Sequence, residues 1–390
     1  MQYPLTDRCK NMITGALVAD AAAMGLHWIY DQDHIRKIAP KEPEFRTPMA
    51  ADYDGVMAFF AHPKRVAGAQ SQYGEQAMVM LRALATNGGT YDEAIYAEHF
   101  RSHFGYGGAY VGYIDHATRD TLDNFRRYED AAHAAATALP FDGDAKQLKG
   151  LVAKALPLLV RYTGTELNKR FMQSLRDANS DAATLAFAPR LIEALGTVPR
   201  PAGAHDLQLP AIAKLPALVA MLCAQEAAQG AVFDTATASA VRVTSDHAVA
   251  ASYGAISARM MAAAVTQGSA KAAVQAGLAD ATGDARTLLA KALDMPETDN
   301  AAVTKHFGMA CDLPYGVPSA VHNIATATSF SDAIRRNIYG GGDTCGRAIL
   351  VGAVMGAAHG IGGDHGIPHQ WIDQLAVMPE ATQIMDSLFS

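Results

Sequence analysis

The spacing of apolar residues is the feature of this sequence that most restricts its fold. Apolar side chains recur at helical intervals along most of the 390 residues, and no segment sustains the strict alternation typical of a half-buried strand. No repeat of fixed length accompanies them. Half of the residues are hydrophobic and only 18% are charged, which is enough apolar surface for a large core. The sequence predicts an all-α protein that forms a single large multi-helical domain over residues 1–390.

Two apolar segments in the first quarter of the chain predict helices. Residues 9–24 (CKNMITGALVADAAAM) are apolar nearly all round, so this helix is expected to be buried. A second helix is expected from about Glu75 to Thr86, ending at a pair of glycines. The mixed residues 31–70 between them are expected to form a long irregular loop, a kind of segment that is often functional.

Charge and cysteine spacing exclude several classes of protein. The formal net charge of −7 argues against a general nucleic-acid binder, which usually carries a basic stripe. The four cysteines contain no CxxC pair, so neither a zinc site nor a disulfide framework is expected. The N-terminus lacks the order of a signal peptide, and no apolar run reaches roughly 18 residues. We therefore expect a cytoplasmic protein with a small-molecule substrate and no membrane or nucleic-acid partner; the oligomeric state stays open.

The segment GGGDTCGRAILVGAVMGAAHG (340–360) is the sharpest local signal. Its glycines allow a tight turn, after which Asp343 and Thr344 precede an almost wholly apolar helix. Asp343 could simply cap that helix, or it could face a second carboxylate from elsewhere in the chain. Asp20 is the obvious partner, because a carboxylate within an apolar helix must be paired, hydrogen-bonded or metal-bound. A structural hydrogen bond to a backbone group is the alternative for Asp20.

Three segments together resemble the ADP-ribosylglycohydrolase family. The N-terminal ITGALVADAAAMGLHW resembles the opening of that family, with Asp20 at its aspartate. The C-terminal residues from VPSAVHNIATATSFSDAIRRN through GGGDTCGRAILVGAVMGAAHG to GIPHQWI resemble its closing segment. GAQSQYGEQAMVMLRALATNGGTYDEA (68–94) supplies a third match. The resemblance spans most of the chain in the family's order, and it implies an all-α fold with a central cleft.

The resemblance also implies a metal centre, from which this sequence departs. Active relatives hold two divalent ions, usually magnesium, that organise water and ribose hydroxyls for hydrolysis of the bond between ADP-ribose and its acceptor. Their ligands are a Thr-Asp-Asp run and an Asp-x-Asp-(Ser/Thr) run. Here the first run is Gln72, Tyr73 and Gly74, and the second keeps Asp343 but has Cys345 and Gly346. Magnesium requires several oxygen ligands, so no dinuclear magnesium site and no metal cofactor are expected.

The departures follow those of one branch of the family. SQYGEQAMVMLRAL, LHWIYD (26–31), GYIDHATRDTL (112–122) and GGDTCGR (341–347) resemble the branch with J-type lens crystallins and selenoprotein J, which also lacks the full metal set. Two functions follow from this resemblance. One is hydrolysis of a glycosidic bond in an ADP-ribosyl or related nucleoside or sugar conjugate without the metal pair. The other is a catalytically inactive binding or structural protein. A thiol-dependent redox enzyme built on Cys345 is a third class.

Five residues are candidates for catalysis. Asp343, Glu75 and Asp20 are the possible general acids or bases, although Glu75 could be only a capping residue of its helix. Cys345 at a helix start is expected to have a lowered pKa and could be a nucleophile, with a buried inert thiol as the alternative. Arg347 could pair with these carboxylates or with a phosphate, and a salt bridge to Asp343 in place of a lost cation is the structural alternative.

A larger set is expected to bind the ligand. Its members are Tyr73, Gly74, Gly341, Gly342, Thr344, His27, Trp28, Asp246 and His247. His27 and Trp28 could line the cleft or belong to the core. Asp246 and His247 could be a hydrogen-bonded pair where Ser245 or Asp246 caps the next helix. The glycine-rich loop at 101–117 could cover the pocket through Tyr106, Tyr110, Tyr113 and Asp115.

Overall fold

The computed structural model describes residues 3–295 and 299–390. Within those ranges the secondary structure is helical, and extended pairing is confined to isolated bridges such as that between Ile29 and Ala58. Among the described residues, three short 3-10 helices, Met24–Leu26, Ala50–Asp52 and Leu209–Ile212, lie between the α-helices. The all-α prediction is confirmed.

Contacts between residues group the chain into two compact units. The first comprises the residues up to Thr118 together with Ala204–Ser390. Its helices are α1 (Leu5–Ala23), α2 (Gln32–Ile38), α3 (Gln72–Thr86) and α4 (Glu93–Phe104), and then, after the second unit, α9 (Leu215–Ala224), α10 (Ala231–Thr244), α11 (Ala248–Gln267), α12 (Ala270–Asp280), α13 (Gly283–Leu293), α14 (Asn300–Phe307), α15 (Leu313–Thr326), α16 (Phe330–Tyr339), α17 (Thr344–His359), α18 (His369–Ile372) and α19 (Met378–Leu388).

The second unit, Arg119–Gly203, is a set of amphipathic helices with a core of its own. It contains most of α5 (His116–Thr137), followed by α6 (Ala145–Arg161), α7 (Gly164–Asp177) and α8 (Ala182–Gly196). Apolar side chains on one face of each helix, among them Val152, Phe171 and Leu191, are buried together. The expectation of one domain over residues 1–390 stays a prediction.

The centre of the first unit is the close packing of α1 against α17. A Cβ atom added to Gly15 would lie 2.2 Å from the carbonyl oxygen of Gly352 and 3.0 Å from the Cα of Gly356. The absence of side chains at these three positions therefore brings the two backbones into contact. Both helices are buried over most of their length, as the apolar pattern predicted. This packing places the last turn of α1 beside the first turn of α17.

Two local predictions were wrong. Residues 31–70 contain the helix α2 and a 3-10 helix, so they do not form one irregular loop. The cause is Asp31, whose side chain accepts a hydrogen bond from the backbone N–H of His34 and so caps α2. At the start of α11 the cap is His247, whose Nδ1 accepts from the N–H of Val249, in place of the predicted Ser245 or Asp246.

One helix in the described ranges is long and apolar enough to cross a membrane by those two criteria. It is α11, Ala248–Gln267, and 67% of its most apolar window is buried within the protein. It packs against α9, α12 and α17. A helix buried to this extent is typical of the core of a folded protein, and α11 is a core helix of the first unit.

Candidate functional site

Asp343 joins the start of α17 to the start of α3. Its Oδ1 accepts the backbone N–H of Gly346 at 2.8 Å and so caps α17, while Oδ2 accepts the hydroxyl of Tyr73 at 2.5 Å. The thiol of Cys311 also hydrogen-bonds to this carboxyl. Burial raises the pKa of Asp343 above its usual value, and these hydrogen bonds oppose that shift. The capping alternative for Asp343 is therefore realised, together with a cross-link to a second helix.

Asp20 anchors the first turn of α3 on α1. Its two carboxylate oxygens accept the backbone N–H of Ser71 at 2.8 Å and the hydroxyl of Ser71 at 2.5 Å, and the N–H of Gly74 contributes a third bond. Complete burial raises the pKa of Asp20 to about 7. Structural hydrogen bonds, two from backbone N–H groups and one from the Ser71 hydroxyl, therefore satisfy the Asp20 carboxyl.

The surroundings of Gly74 leave no room for a side chain. A Cβ atom there would lie 1.9 Å from Oε1 of Gln70 and 2.4 Å from Oδ2 of Asp20. Gln70 is held in place because its Nε2 donates to the carbonyl of Leu17. Across residues 3–295 and 299–390, no three His, Cys, Asp or Glu side chains are grouped so that they could hold a metal ion.

Arg347 makes contacts other than the predicted ion pair. Its Nε donates to the amide oxygen of Asn337 at 3.0 Å, and Nη2 donates to the carbonyls of Asn337 and Gly341. The prediction of a salt bridge to Asp343 was wrong, because the turn that precedes α17 orients the guanidinium. Its charge is still near enough to lower the pKa of Asp343, as the last of several contributions.

Cys345 is a buried thiol, and the expected lowering of its pKa was wrong. The residue is 0% exposed, and burial raises the pKa of its thiol well above the usual value. The charges of Asp20 and Asp343 act in the same direction. Its Sγ lies 3.8 Å from the carbonyl oxygen of Asp20. The alternative of a buried inert cysteine describes it, since the reactive form of cysteine is the thiolate.

Glu75 belongs to a cluster of charged side chains beside α3. One carboxylate oxygen lies 2.9 Å from Nε2 of His103, and the other lies 3.6 Å from Nη1 of Arg65. The cap of α3 is Ser71, whose hydroxyl accepts from the N–H of Tyr73. The capping role for Glu75 was therefore wrong, because its side chain points to α4 and to the loop that carries Arg65.

His27 and Thr344 meet at the start of α17. The backbone N–H of Cys345 donates to Nδ1 of His27 at 3.2 Å, and the Thr344 hydroxyl lies 3.4 Å from the same nitrogen. The ring of His27 stacks on Trp28 with centroids 4.3 Å apart. Burial holds the pKa of His27 well below its usual range. The structure thus brings His27 to the carboxylate site, since Nδ1 lies 3.8 Å from Oδ1 of Asp343.

Two glycines shape the turn before Asp343. Gly341 and Gly342 have positive φ angles of 66° and 63°. A Cβ on Gly342 would lie 2.0 Å from the carbonyl oxygen of Met309. Close backbone packing explains these glycines; they give Asp343 its position.

Trp28 and two further aromatic rings form a cluster next to His27. Phe59 and Tyr113 pack on the Trp28 ring with centroid distances of 5.6 and 4.9 Å. Trp28 is only 5% exposed, whereas Phe59 is 52% exposed. The cluster therefore reaches from the core to the surface.

Asp246 and His247 form a separate surface group. The carbonyl of Asp246 is bonded to Nδ1 of His205, and the rings of His205 and His247 lie 4.5 Å apart. The predicted hydrogen bond between Asp246 and His247 is replaced by these contacts and by the capping of α11. Tyr106, expected over the pocket, is fully exposed.

The structure gives Asp115, which the sequence predicts only as a cover for the pocket, a more specific environment. Its Oδ1 accepts the N–H of Thr118 at 2.6 Å, while Oδ2 is buried with no hydrogen-bond partner in the described part of the chain. Burial raises the pKa of Asp115 to about 6. Its charge contributes to the raised pKa of Tyr73 and of Cys311, which both contact Asp343. Residue spacing gave no signal for this, because the free oxygen depends on how the loop folds.

Other buried polar atoms without a partner accompany Asp115 in the same described ranges. Among them are seven atoms in α3, in the loop before it and in the turn after α1: Nε2 of His27, both ring nitrogens of His62, Oε1 of Gln70, both amide atoms of Gln72 and Oε1 of Gln76. Gln72 and Gln76 are one helical turn apart on α3, and Gln76 donates to Thr118, beside Asp115. Buried polar groups are normally hydrogen-bonded, so this concentration indicates a place for water or a ligand. We call these eight atoms, including Oδ2 of Asp115, the unpartnered polar set.

Comparisons with known proteins agree with the fold. The model of the ADP-ribosylglycohydrolase family matches residues 1–390. Crystallin J1A of Tripedalia cystophora is 28% identical over 198 residues, which are 48% of this chain and 58% of that protein. Crystallin J1B of the same organism is 33% identical over 121 residues, which are 30% of this chain and 33% of that protein. The matched segments thus span just over half and one third of the two crystallins.

A solved structure supports the architecture over the whole length. The ADP-ribosylglycohydrolase-related protein complex superposes with a TM-score of 0.57, covering 99% of this chain and 98% of that one at 15% identity. At that identity the likeness concerns the fold. Because the family model covers every residue of the sequence, the chain belongs to the ADP-ribosylglycohydrolase family, and it is similar to its J-type crystallins.

Proposed function

We propose that this chain is a hydrolase that cleaves a glycosidic bond of an ADP-ribosyl or related nucleoside or sugar conjugate without a pair of magnesium ions. Membership of the family supports hydrolase chemistry. The observation that carries the finer proposal is Asp115, a buried carboxyl with one free oxygen and a pKa of about 6. A carboxyl whose pKa approaches the working pH suits general acid–base catalysis.

Asp115 differs from Asp20 and Asp343 because one of its carboxyl oxygens accepts no hydrogen bond from the described residues. The oxygens of Asp20 are bonded to Ser71 and Gly74, and those of Asp343 to Gly346 and Tyr73. In the proposed reaction Asp115 takes a proton from water, and the water oxygen bonds to the anomeric carbon. The bond to the acceptor breaks, and the acceptor leaves with the electron pair and gains a proton from solvent, to which Asp115 then releases the proton that it took from the water. Asp343 and Asp20 then act as positioning residues for the two helix starts.

The absence of a magnesium pair is supported by the residues at the family's ligand positions. The space next to Gly74 is filled by Gln70 and Asp20, so a carboxylate could not replace this glycine without moving them. The hydroxyl of Tyr73 donates a hydrogen bond to one oxygen of Asp343, and its hydrogen stands where a cation would have to bind. A hard dication needs several oxygen ligands, and neutral amides with one carboxylate would hold it weakly.

The test is release of a free sugar or ADP-ribose from a panel of ADP-ribosylated peptides and nucleosides, with and without a chelator. We expect turnover that is insensitive to the chelator and falls at least about 100-fold in Asp115→Asn, since a positioned general base contributes on the order of that factor. Asp364→Asn, at an exposed position, is the matched control. Metal analysis should find less than one magnesium per chain. Activity that requires added magnesium would contradict the proposal.

A second function is favoured by the similarity to Crystallin J1A and J1B. In this alternative the chain is a catalytically inactive binding or structural protein whose carboxyls serve only the fold, as the bonds of Asp20 and Asp343 do. It predicts that no conjugate on the panel is turned over by the wild-type chain. A ligand could still raise the melting temperature in that case, because binding to the folded state stabilises it.

A further inference from the structure

The two histidines of the unpartnered polar set form a pair next to the Tyr73–Asp343 hydrogen bond. The rings of His27 and His62 are stacked with centroids 5.4 Å apart, and His27 contacts the edge of Tyr73 at 6.0 Å. His27 is 0% exposed and His62 is 2% exposed. They come from different segments, one after α1 and one in the loop before α3.

The position of the proton on His27 is set by the backbone. The N–H of Cys345 can only donate, so Nδ1 of His27 must be the acceptor of that hydrogen bond. The neutral ring then carries its proton on Nε2, the buried nitrogen that lacks a partner within the described residues. His27 is therefore a fixed hydrogen-bond donor directed away from α17.

His62 offers both kinds of hydrogen bond. Neither of its ring nitrogens has a partner in the described ranges, and a neutral imidazole has one donor and one acceptor. Burial, with the nearby charge of Arg65, lowers the pKa of His62 to about 3, so the ring is neutral at ordinary pH. Together the pair presents two donors and one acceptor, with no net charge.

This combination matches one kind of chemical group. We propose that His27 and His62 form a neutral subsite that holds an uncharged, hydroxyl-bearing part of the substrate, such as a sugar. A hydroxyl both accepts and donates, so it can satisfy both rings. A phosphate or carboxylate can only accept, and it would lie close to the carboxylate of Asp343. An ammonium group can only donate, and the N–H of His27 would face it.

The proposal rests on the proposed function, because it assigns part of the substrate of the same site. The probe is D-ribose, an uncharged sugar, added to the full chain with nitrogen-15 in its histidines. We expect the imidazole signals of His27 and His62 to shift on addition of ribose. Ribose 5-phosphate should bind no more tightly than ribose, since the pair offers no charge for a phosphate.

A substitution provides the second measurement. His62→Phe keeps an aromatic ring and removes both nitrogens, and loss of two hydrogen bonds should weaken ribose binding at least about tenfold. His62→Gln, which restores one donor and one acceptor, should recover part of the affinity. His306→Phe, at an exposed position, is the matched control. The histidine signals are followed by nuclear magnetic resonance in the wild-type chain. They therefore test ribose binding by the two histidines even if His62→Phe does not fold.

The results separate this inference from the proposed function. Unshifted histidine signals, or equal affinity in His62→Phe, would overturn the subsite while turnover of conjugates continued to support the hydrolase. Ribose binding that depends on His62 without turnover of any conjugate would support the subsite and contradict the hydrolase. Tighter binding of ribose 5-phosphate than of ribose would overturn the claim that the group is uncharged.

Discussion

The hydroxyl of Tyr73 donates to Oδ2 of Asp343 at 2.5 Å across 270 positions of sequence. Both side chains are completely buried, and the bond ties the first turn of α3 to the first turn of α17. The tyrosine thus supplies a hydrogen-bond donor to a buried carboxyl oxygen, and the bond links the starts of the two helices.

Tyr73→Phe should destabilise the chain by about 1–3 kcal/mol, because it leaves a buried carboxylate oxygen without its donor. Urea unfolding followed by circular dichroism measures the change. Tyr106→Phe removes a hydroxyl from a fully exposed ring and should alter the free energy of unfolding by less than about 0.5 kcal/mol. Equal effects from the two variants would mean that the hydroxyl of Tyr73 contributes nothing to the folded state.

Gly15→Ala should destabilise the first unit by at least about 1–3 kcal/mol, because the added methyl would overlap the carbonyl of Gly352. Thermal unfolding of the full chain is the measurement. The control is Gly150→Ala in α6, where an added Cβ has no neighbour within 4 Å. That change should be neutral or stabilise by about 0.5–1 kcal/mol, since alanine favours a helix over glycine. A Gly15→Ala protein of wild-type stability would show that α1 and α17 are less tightly packed than described.

The pH dependence of stability should reveal the buried carboxyl of Asp115. Burial raises its pKa from the usual 3.8 to about 6. Between those values the folded chain keeps a proton that the unfolded chain has lost. The free energy of unfolding therefore falls as the pH rises from about 4 to about 6, and the loss persists above that.

Asp115→Asn removes this contribution. The variant should gain roughly 1–3 kcal/mol relative to the wild type between about pH 4 and pH 6. The difference between the two proteins is the quantity to measure, because His62, whose pKa burial lowers to about 3, changes the stability of both in the opposite direction. A difference that stays constant over this interval would show that Asp115 has an ordinary pKa.

Cys345 should react with iodoacetamide at a negligible rate in the native chain. The thiol is 0% exposed and burial raises its pKa, so the reactive thiolate is scarce. Peptide mapping by mass spectrometry measures labelling before and after unfolding in urea. Ser387→Cys places a thiol at an exposed position and serves as the positive control. Rapid labelling of Cys345 in the native chain would contradict this prediction and support a thiol-dependent reaction at Cys345.

The sequence by itself determined the helical fold and the burial of α1. The apolar run in α1 predicts a buried helix, because the period and polarity of side chains are local properties. The order of the family's segments likewise indicated an all-α fold. That Tyr73 and Cys345 stand at the family's ligand positions stays a prediction from the sequence.

Only the tertiary structure decided which polar atoms are satisfied. A sequence shows that Arg347, Glu75 and Cys345 lie near helix starts, but not which side chains they contact; His103 in α4 as the partner of Glu75 appears only in the fold. The same holds for Asp115 and His62, whose free atoms result from the folding of loops around α3. Hydrogen bonding and desolvation depend on three-dimensional neighbours, and these neighbours decide whether a buried carboxyl, thiol or imidazole is charged, inert or open to a ligand.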